Sequence, residues 1–141
     1  MKATISKTFR FEASHQLINH DGKCSNPHGH SYEVSVAVEG PVSAQKGDPK
    51  EGMVVDFSDI KDVWDEHLKP TLDHQDLNQH FLFPTTAENI AAWVCVVFAR
   101  HGVPITSVTV YETATSSATV YLADIGSSSV LLQALEVGVI T

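Results

Sequence analysis

The sequence predicts an α+β fold, a four-stranded and mainly antiparallel sheet with two helices packed on one face. Three observations carry that expectation. Four stretches alternate apolar and polar residues with a period of two, two stretches repeat apolar residues at helical spacing, and the order is strand, strand, helix, helix, strand, strand. An antiparallel sheet built in that order buries one face under both helices and leaves the other polar. The 141 residues, 43% hydrophobic and 18% charged, suit one domain over residues 1–141. A chain of this length buries roughly 68% of its unfolded surface, enough to fold without disulfides.

Residues 3–15 form the first strand. Ala3, Ile5, Phe9, Phe11 and Ala13 share one face, Thr4, Ser6, Thr8, Arg10, Glu12 and Ser14 the other, and the count puts His15 on the apolar side. Residues 28–38 form the second, with Tyr32, Val34, Val36 and Val38 on the apolar face and His28 and His30 in phase with them. The stretch 40–52, "GPVSAQKGDPKEG", is turn chemistry and reads as a surface loop. A first helix is expected from an N-cap at Ser58, with Ile60, Val63, Trp64, His67 and Leu68 at helical spacing and Pro70 ending it. A second begins at Thr85 or Thr86, lines one face with Ile90, Trp93, Val94, Val97 and Phe98, and stops at Gly102 and Pro104. Strands follow in "ITSVTVYET", where Val108 and Val110 share parity with Glu112, and in "ATVYLAD", where Val120 and Leu122 alternate with Thr119 and Tyr121. The core is expected over about 3–123, with 124–141 a C-terminal extension whose "SSSVLLQALEVGVIT" is apolar enough to pack or to form a subunit contact.

Composition excludes several classes of function. The 17 acidic against 9 basic residues, a formal charge of −8, argue against an electrostatic nucleic-acid binder, which needs clustered Lys and Arg. No apolar run reaches the length of a membrane span and no secretory signal opens the chain, so neither membrane nor export is expected. The two cysteines, Cys24 and Cys95, favour a reducing, cytoplasmic setting. Cys95, midway along an apolar helix, reads as core.

The informative residues are polar groups on apolar faces. Residues i and i+2 of a strand point the same way, so His28 and His30 can meet one ion, and His15 joins them from the first strand. Gly29 between them removes bulk at what should be a crowded point. Imidazole suits zinc, and three protein ligands with one open position describe a catalytic zinc site. An H-x-H spacing alone is weak evidence, and its agreement with His15 is what gives it weight. Glu112 is a carboxylate in phase with the core, costly unless paired. Either a Lys or Arg answers it, or a ligand offering two parallel N–H donors does. In "LDHQDLN" the adjacent Asp73 and His74 are either solvated turn residues or a pair in which the acid orients the imidazole and raises its basicity.

Six fragments in order resemble the 6-pyruvoyl-tetrahydropterin synthase and 6-carboxy-tetrahydropterin synthase family: "FEASHQL", "CSNPHGHSYEV", "GMVVDFSDIK", "LDHQDLN", "TAENIA" and "VYET". The resemblance covers roughly residues 5–122. It implies the tunnelling fold, whose subunits close their sheets into a barrel as trimers and commonly pair into hexamers with active sites at subunit boundaries. Carried over residue by residue, it implies zinc on His15, His28 and His30. It makes Cys24 the general base, with Asp73 and His74 assisting proton transfer from a neighbouring subunit. Glu112 would grip the 2-amino and N3–H edge of a pterin, with Thr86 and Glu88 near the same ring. A thiol beside a dication favours thiolate, a base usable near neutral pH.

The three residues between Cys24 and His28 resemble the bacterial 6-carboxy branch of queuosine and deazapurine synthesis. "GKCSNP" and "VYET" resemble the animal-type enzymes, and "PTTAEN" has one residue more than the usual pattern, leaving Thr85 or Thr86 as the pterin contact. The leading expectation is a zinc lyase that converts 7,8-dihydroneopterin triphosphate to 6-carboxy-5,6,7,8-tetrahydropterin, releasing acetaldehyde and triphosphate. The same site would serve a 6-pyruvoyl-tetrahydropterin synthase or a dihydropterin aldolase. A zinc-containing pterin binder without turnover is the alternative of another class, against which an intact Cys24, Asp73 and His74 argue.

Overall fold

A computed structural model describes residues 1–126, so the expectation for the apolar tail 127–141 lies outside the described residues. The two long strands β1 (Lys2–His15) and β2 (His28–Pro41) pair antiparallel along their whole length, from Lys2 opposite Pro41 to His15 opposite His28. Strand β4 (Ser107–Thr113) pairs with β2, and β5 (Ser116–Tyr121) pairs with β4, both antiparallel. A fifth strand was not foreseen: β3 (Gln75–Asp76) runs parallel to β1 at its outer edge, giving the order β3-β1-β2-β4-β5. Two residues in a turn carry no period, so the sequence pattern could not announce it.

The first helical stretch departs from expectation at both ends. Helix α1 (Phe57–Val63) starts on Asp56, not Ser58, and the Asp56 carboxylate accepts from Ser58 N–H at 2.9 Å and Ser58 O–H at 2.8 Å. Asp56 also meets Lys50 at 3.2 Å, and these contacts hold its carboxyl down at about 2, the Ser58 N–H first among them. Pro70 does not end the helical path. A wider π turn at Trp64–Leu68, in which Lys69 N–H reaches back to the Trp64 carbonyl, precedes α2 (Lys69–Leu72). Pro70 therefore sits in the first turn of a new helix, where its missing N–H costs nothing. His67 is partly exposed and stacks on His101 at 3.6 Å instead of joining the core.

Helix α3 (Ala87–Arg100) resolves the Thr85 or Thr86 alternative for its start: Thr86 is the cap, accepting Asn89 N–H at 3.2 Å. Strand β5 ends at Tyr121, and Leu122 opens a short helical turn, α4 (Leu122–Ile125), so the last predicted strand is shorter than its alternation suggested.

The helices cover one face of the sheet, as expected. Ile60, Trp64, Leu68 and Leu72 from the first helical path and Ile90, Val94 and Phe98 from α3 are buried with Phe11, Val34, Val36, Val108 and Val110 of the strands. Cys95 is fully buried there, and burial pushes its thiol up to about 12, the behaviour of a core side chain. The other face is polar: Arg10 pairs with Glu33 at 3.1 Å, Ser31 donates to Glu12 at 2.7 Å, and the Thr109 and Thr119 hydroxyls meet at 2.7 Å. Among the described residues, no helix is long and apolar enough to cross a membrane.

Candidate metal centre and active site

The β1–β2 register brings the three histidines together. His15 lies opposite His28 and Ala13 opposite His30, so parity and pairing point all three rings off the same face at one end of the sheet. Ring centroids are 4.6 Å apart for His15 and His28, 5.1 Å for His15 and His30, and 4.8 Å for His28 and His30. One nitrogen from each lies within 4.8 Å of the others. Further along the same face Tyr32 stacks on Phe11 at 4.6 Å and Trp64 stacks on Phe9 at 4.5 Å.

The hydrogen bonds choose the tautomers. His15 Nδ1 lies 2.7 Å from the Thr85 carbonyl and His28 Nδ1 lies 2.8 Å from the Asn26 carbonyl. A carbonyl only accepts, so both Nδ1 atoms carry the proton and both Nε2 atoms keep a free lone pair. His15 Nε2 and His30 Nε2 are buried with no hydrogen-bond partner. Buried polar atoms are rarely left so, and converging lone pairs fit a cation such as zinc. Burial pushes the His15 and His30 imidazoles below their ordinary values, against the pull of the Glu112 charge, and neutral imidazole is the ligating form.

Glu112 lies one residue past the Glu33–Tyr111 pair on β4, in phase with Val108 and Val110. That phase puts it on the face of the sheet that carries the triad, its charge raises the affinity of His15, His30 and Tyr32 for protons, and no Lys or Arg among the described residues forms an ion pair with it. Among the described residues Glu112 is therefore not half of a salt bridge within the chain. The Tyr32 hydroxyl is also buried without a partner, and burial, then the Glu112 charge, raises its pKa.

Cys24 lies in a short 3₁₀ turn, Lys23–Ser25, and is partly buried. Its Sγ is not among the atoms that converge with the triad. Asp73 and His74 form a contact at 3.0 Å, but they are bound to the β1 edge, where Asp73 accepts Glu12 N–H at 3.0 Å and His74 N–H donates to the Glu12 carbonyl at 2.6 Å. The Glu12 N–H, more than His74, holds the Asp73 carboxyl below its ordinary value. His74 has φ of 58°, a left-handed backbone uncommon for a residue with a Cβ, and its side chain is 77% exposed. It lines an open cleft of about 480 Å³ with Glu12, Ser14, Ser31 and Gln75.

Thr86 is occupied as the α3 cap and lines a second, apolar cleft of about 490 Å³ beside Gln16 and Phe83, while Glu88 is exposed in the first turn of α3. Thr85 stands beside the triad, and the expectation for Gly29 needs correction. Thr85 is fully buried against His15, its hydroxyl 3.3 Å from Nδ1, so it supports the triad. Gly29 is not crowded: a Cβ there would meet only the Ala13 carbonyl, at 3.6 Å, an ordinary contact. Sequence reasoning missed Thr85 as a triad partner and Asn78 and Gln16 altogether. The only available signal was their position beside fragments already singled out.

Fold and site together define an α+β protein of the tunnelling fold, with three histidines arranged to hold a metal ion at one end of its sheet. The chain belongs to the 6-pyruvoyl tetrahydropterin synthase family, whose model matches residues 4–123. A 6-carboxy-5,6,7,8-tetrahydropterin synthase of Synechocystis sp. is 45% identical over 116 residues, covering 81% of this chain and 89% of its own length. One of the same name from Haemophilus influenzae is 35% identical, covering 79% of this chain and 94% of its own length. The structure of Caenorhabditis elegans 6-pyruvoyl tetrahydropterin synthase superposes with a TM-score of 0.73 at 28% identity, covering 86% of this chain and 96% of that one.

Proposed function

We propose that the protein is a zinc-dependent lyase that converts 7,8-dihydroneopterin triphosphate and one water to 6-carboxy-5,6,7,8-tetrahydropterin, with release of acetaldehyde and triphosphate. The observation that carries the zinc site is the convergence of His15, His28 and His30 with buried, unpartnered Nε2 atoms on His15 and His30. The choice of product is supported by the names of the relatives at 45% and 35% identity and by the spacing of Cys24 from His28.

In this reading His15, His28 and His30 hold the zinc, which when bound supplies Lewis acidity to the side-chain oxygens of the substrate. Cys24 removes a side-chain proton as general base. Glu112, without a cationic partner, accepts the two parallel N–H donors of the pterin edge, a bidentate geometry that fixes the ring. Thr86 and Glu88 lie along the same ring. Asp73 and His74 assist proton transfer in the site of a neighbouring subunit, a reading supported by the exposure of His74 at the sheet edge. Closure of the sheets into a barrel, and pairing of trimers into a hexamer, would give the polar face of the sheet an enclosed lumen. A cytoplasmic setting fits the cysteine usage, and a queuosine-type pathway fits the spacing of Cys24 from His28.

Incubating zinc-loaded protein with 7,8-dihydroneopterin triphosphate and identifying products by mass tests this directly. A 6-carboxy product and acetaldehyde are expected. A 6-pyruvoyl product would move the chain to the second reading, which the C. elegans likeness and "VYET" favour. No consumption of substrate would leave a pterin binder.

A further inference from the structure

The pairing that supports β1 stops one residue short of where it is needed. Ala13 and Ser14 pair with Gln75 and Asp76, His15 pairs with His28, and the next residue, Gln16, has no strand opposite it. Its backbone groups would be orphaned directly after a triad histidine. The Asn78 side chain takes the place of the missing strand. Its Oδ1 accepts Gln16 N–H at 2.7 Å and its Nδ2 donates to the Gln16 carbonyl at 2.9 Å. Asn78 stands to Gln16 as Asp76 stands to Ser14, so the amide continues the β3 register two residues further on.

Two further links leave the same point. Asn78 Oδ1 accepts the Thr85 hydroxyl at 3.5 Å, and Thr85 holds the His15 ring through its carbonyl at 2.7 Å. Beyond it, Gln16 Nε2 donates to the Ser25 carbonyl at 2.6 Å and Leu17 N–H to the Cys24 carbonyl at 2.9 Å, so the segment held by Asn78 also holds the Cys24 turn.

We infer that Asn78 is a positioning residue that sets His15 within the metal triad and couples it to the placement of Cys24. The metal half of this inference rests on the zinc reading above. The carboxamide is needed because it supplies an acceptor to the N–H and a donor to the carbonyl of one residue, Gln16. Aspartate keeps the shape but turns an oxygen on the Gln16 carbonyl, and alanine removes both bonds.

The test compares Asn78→Ala and Asn78→Asp with the parent and with Ile105→Ala, a core truncation at the far end of the sheet that controls for general loss of stability. Zinc affinity is read by competition with a chromophoric chelator, well below every unfolding midpoint. A loss of roughly 10–100-fold is expected for both Asn78 variants and none for Ile105→Ala, the range found when groups orienting a ligand are removed. Native-state alkylation, followed by intact mass, reads Cys24 alone because Cys95 is fully buried. Its rate is expected to rise about threefold or more in Asn78→Ala as the turn is released to open locally. Zinc affinity and alkylation equal to the parent in both Asn78 variants, or equal losses in Ile105→Ala, overturn the inference. A parent protein that binds no zinc overturns the metal reading and the zinc half with it, while the alkylation arm still decides the Cys24 half.

Discussion

Each histidine of the triad is held by a different device: His15 by a buried carbonyl, His28 by the carbonyl two residues before it, and His30 by its place in β2. Replacing His28 with alanine should abolish stoichiometric zinc, read by metal analysis after gel filtration; retained zinc would remove His28 from the ligand set. Cys24→Ala should keep zinc and lose turnover of dihydroneopterin triphosphate by about 10²–10⁴, the contribution of a placed general base. Loss of zinc in that variant would make the thiol a ligand. Tyr32 gives a different expectation. Its hydroxyl is buried and unpartnered, so Tyr32→Phe should leave stability within about 1 kcal/mol or raise it, because an apolar replacement removes an unsatisfied group. A fall in the unfolding free energy well beyond that would show that the hydroxyl has a partner in solution. At this scale the three histidines were legible because polar residues broke an apolar period. Thr85 and Asn78 were not, since nothing in a sequence marks which threonine meets an imidazole 70 residues away or which amide meets a backbone 62 residues away.

At the scale of elements, the strands obey their alternation and the helix ends do not. Asp56 caps α1 although Ser58 is also a good cap residue, because the carboxylate serves Ser58 N–H, Ser58 O–H and Lys50 at once. The consequence has a sign. The folded carboxyl titrates at about 2, below its unfolded value, so its stabilisation is complete above the ordinary carboxylate range and is lost as pH falls through that range toward 2. Thermal melts of Asp56→Ala and the parent should therefore differ at pH 6 and converge near pH 2; a constant difference would show that the charge is not what the cap uses. Pro70, a stop signal by local rules, instead stands in the first turn of α2, where its missing N–H costs nothing. Local rules name the breaker but not which side of it the helix resumes.

For the whole molecule, the uncovered polar face and the exposed His74 are the features a single chain leaves open. Light scattering during gel filtration should give a hexamer, or a trimer on dilution. Inactive Cys24→Ala and His74→Ala proteins, mixed and reassembled, should recover part of the activity if one subunit's His74 serves another's Cys24. A stable monomer with full turnover would end that reading. The sequence by itself determined the sheet's apolar face, the covering helices, the phase of His15, His28, His30 and Glu112, and the burial of Cys95, because each is a matter of period and side-chain chemistry. Only the tertiary structure decided that the rings converge, which nitrogens are left free, that β3 exists, and that Asn78 and Thr85 stand behind His15. Those depend on strand register and on hydrogen bonds between segments distant in the chain, and a period carries no information about either.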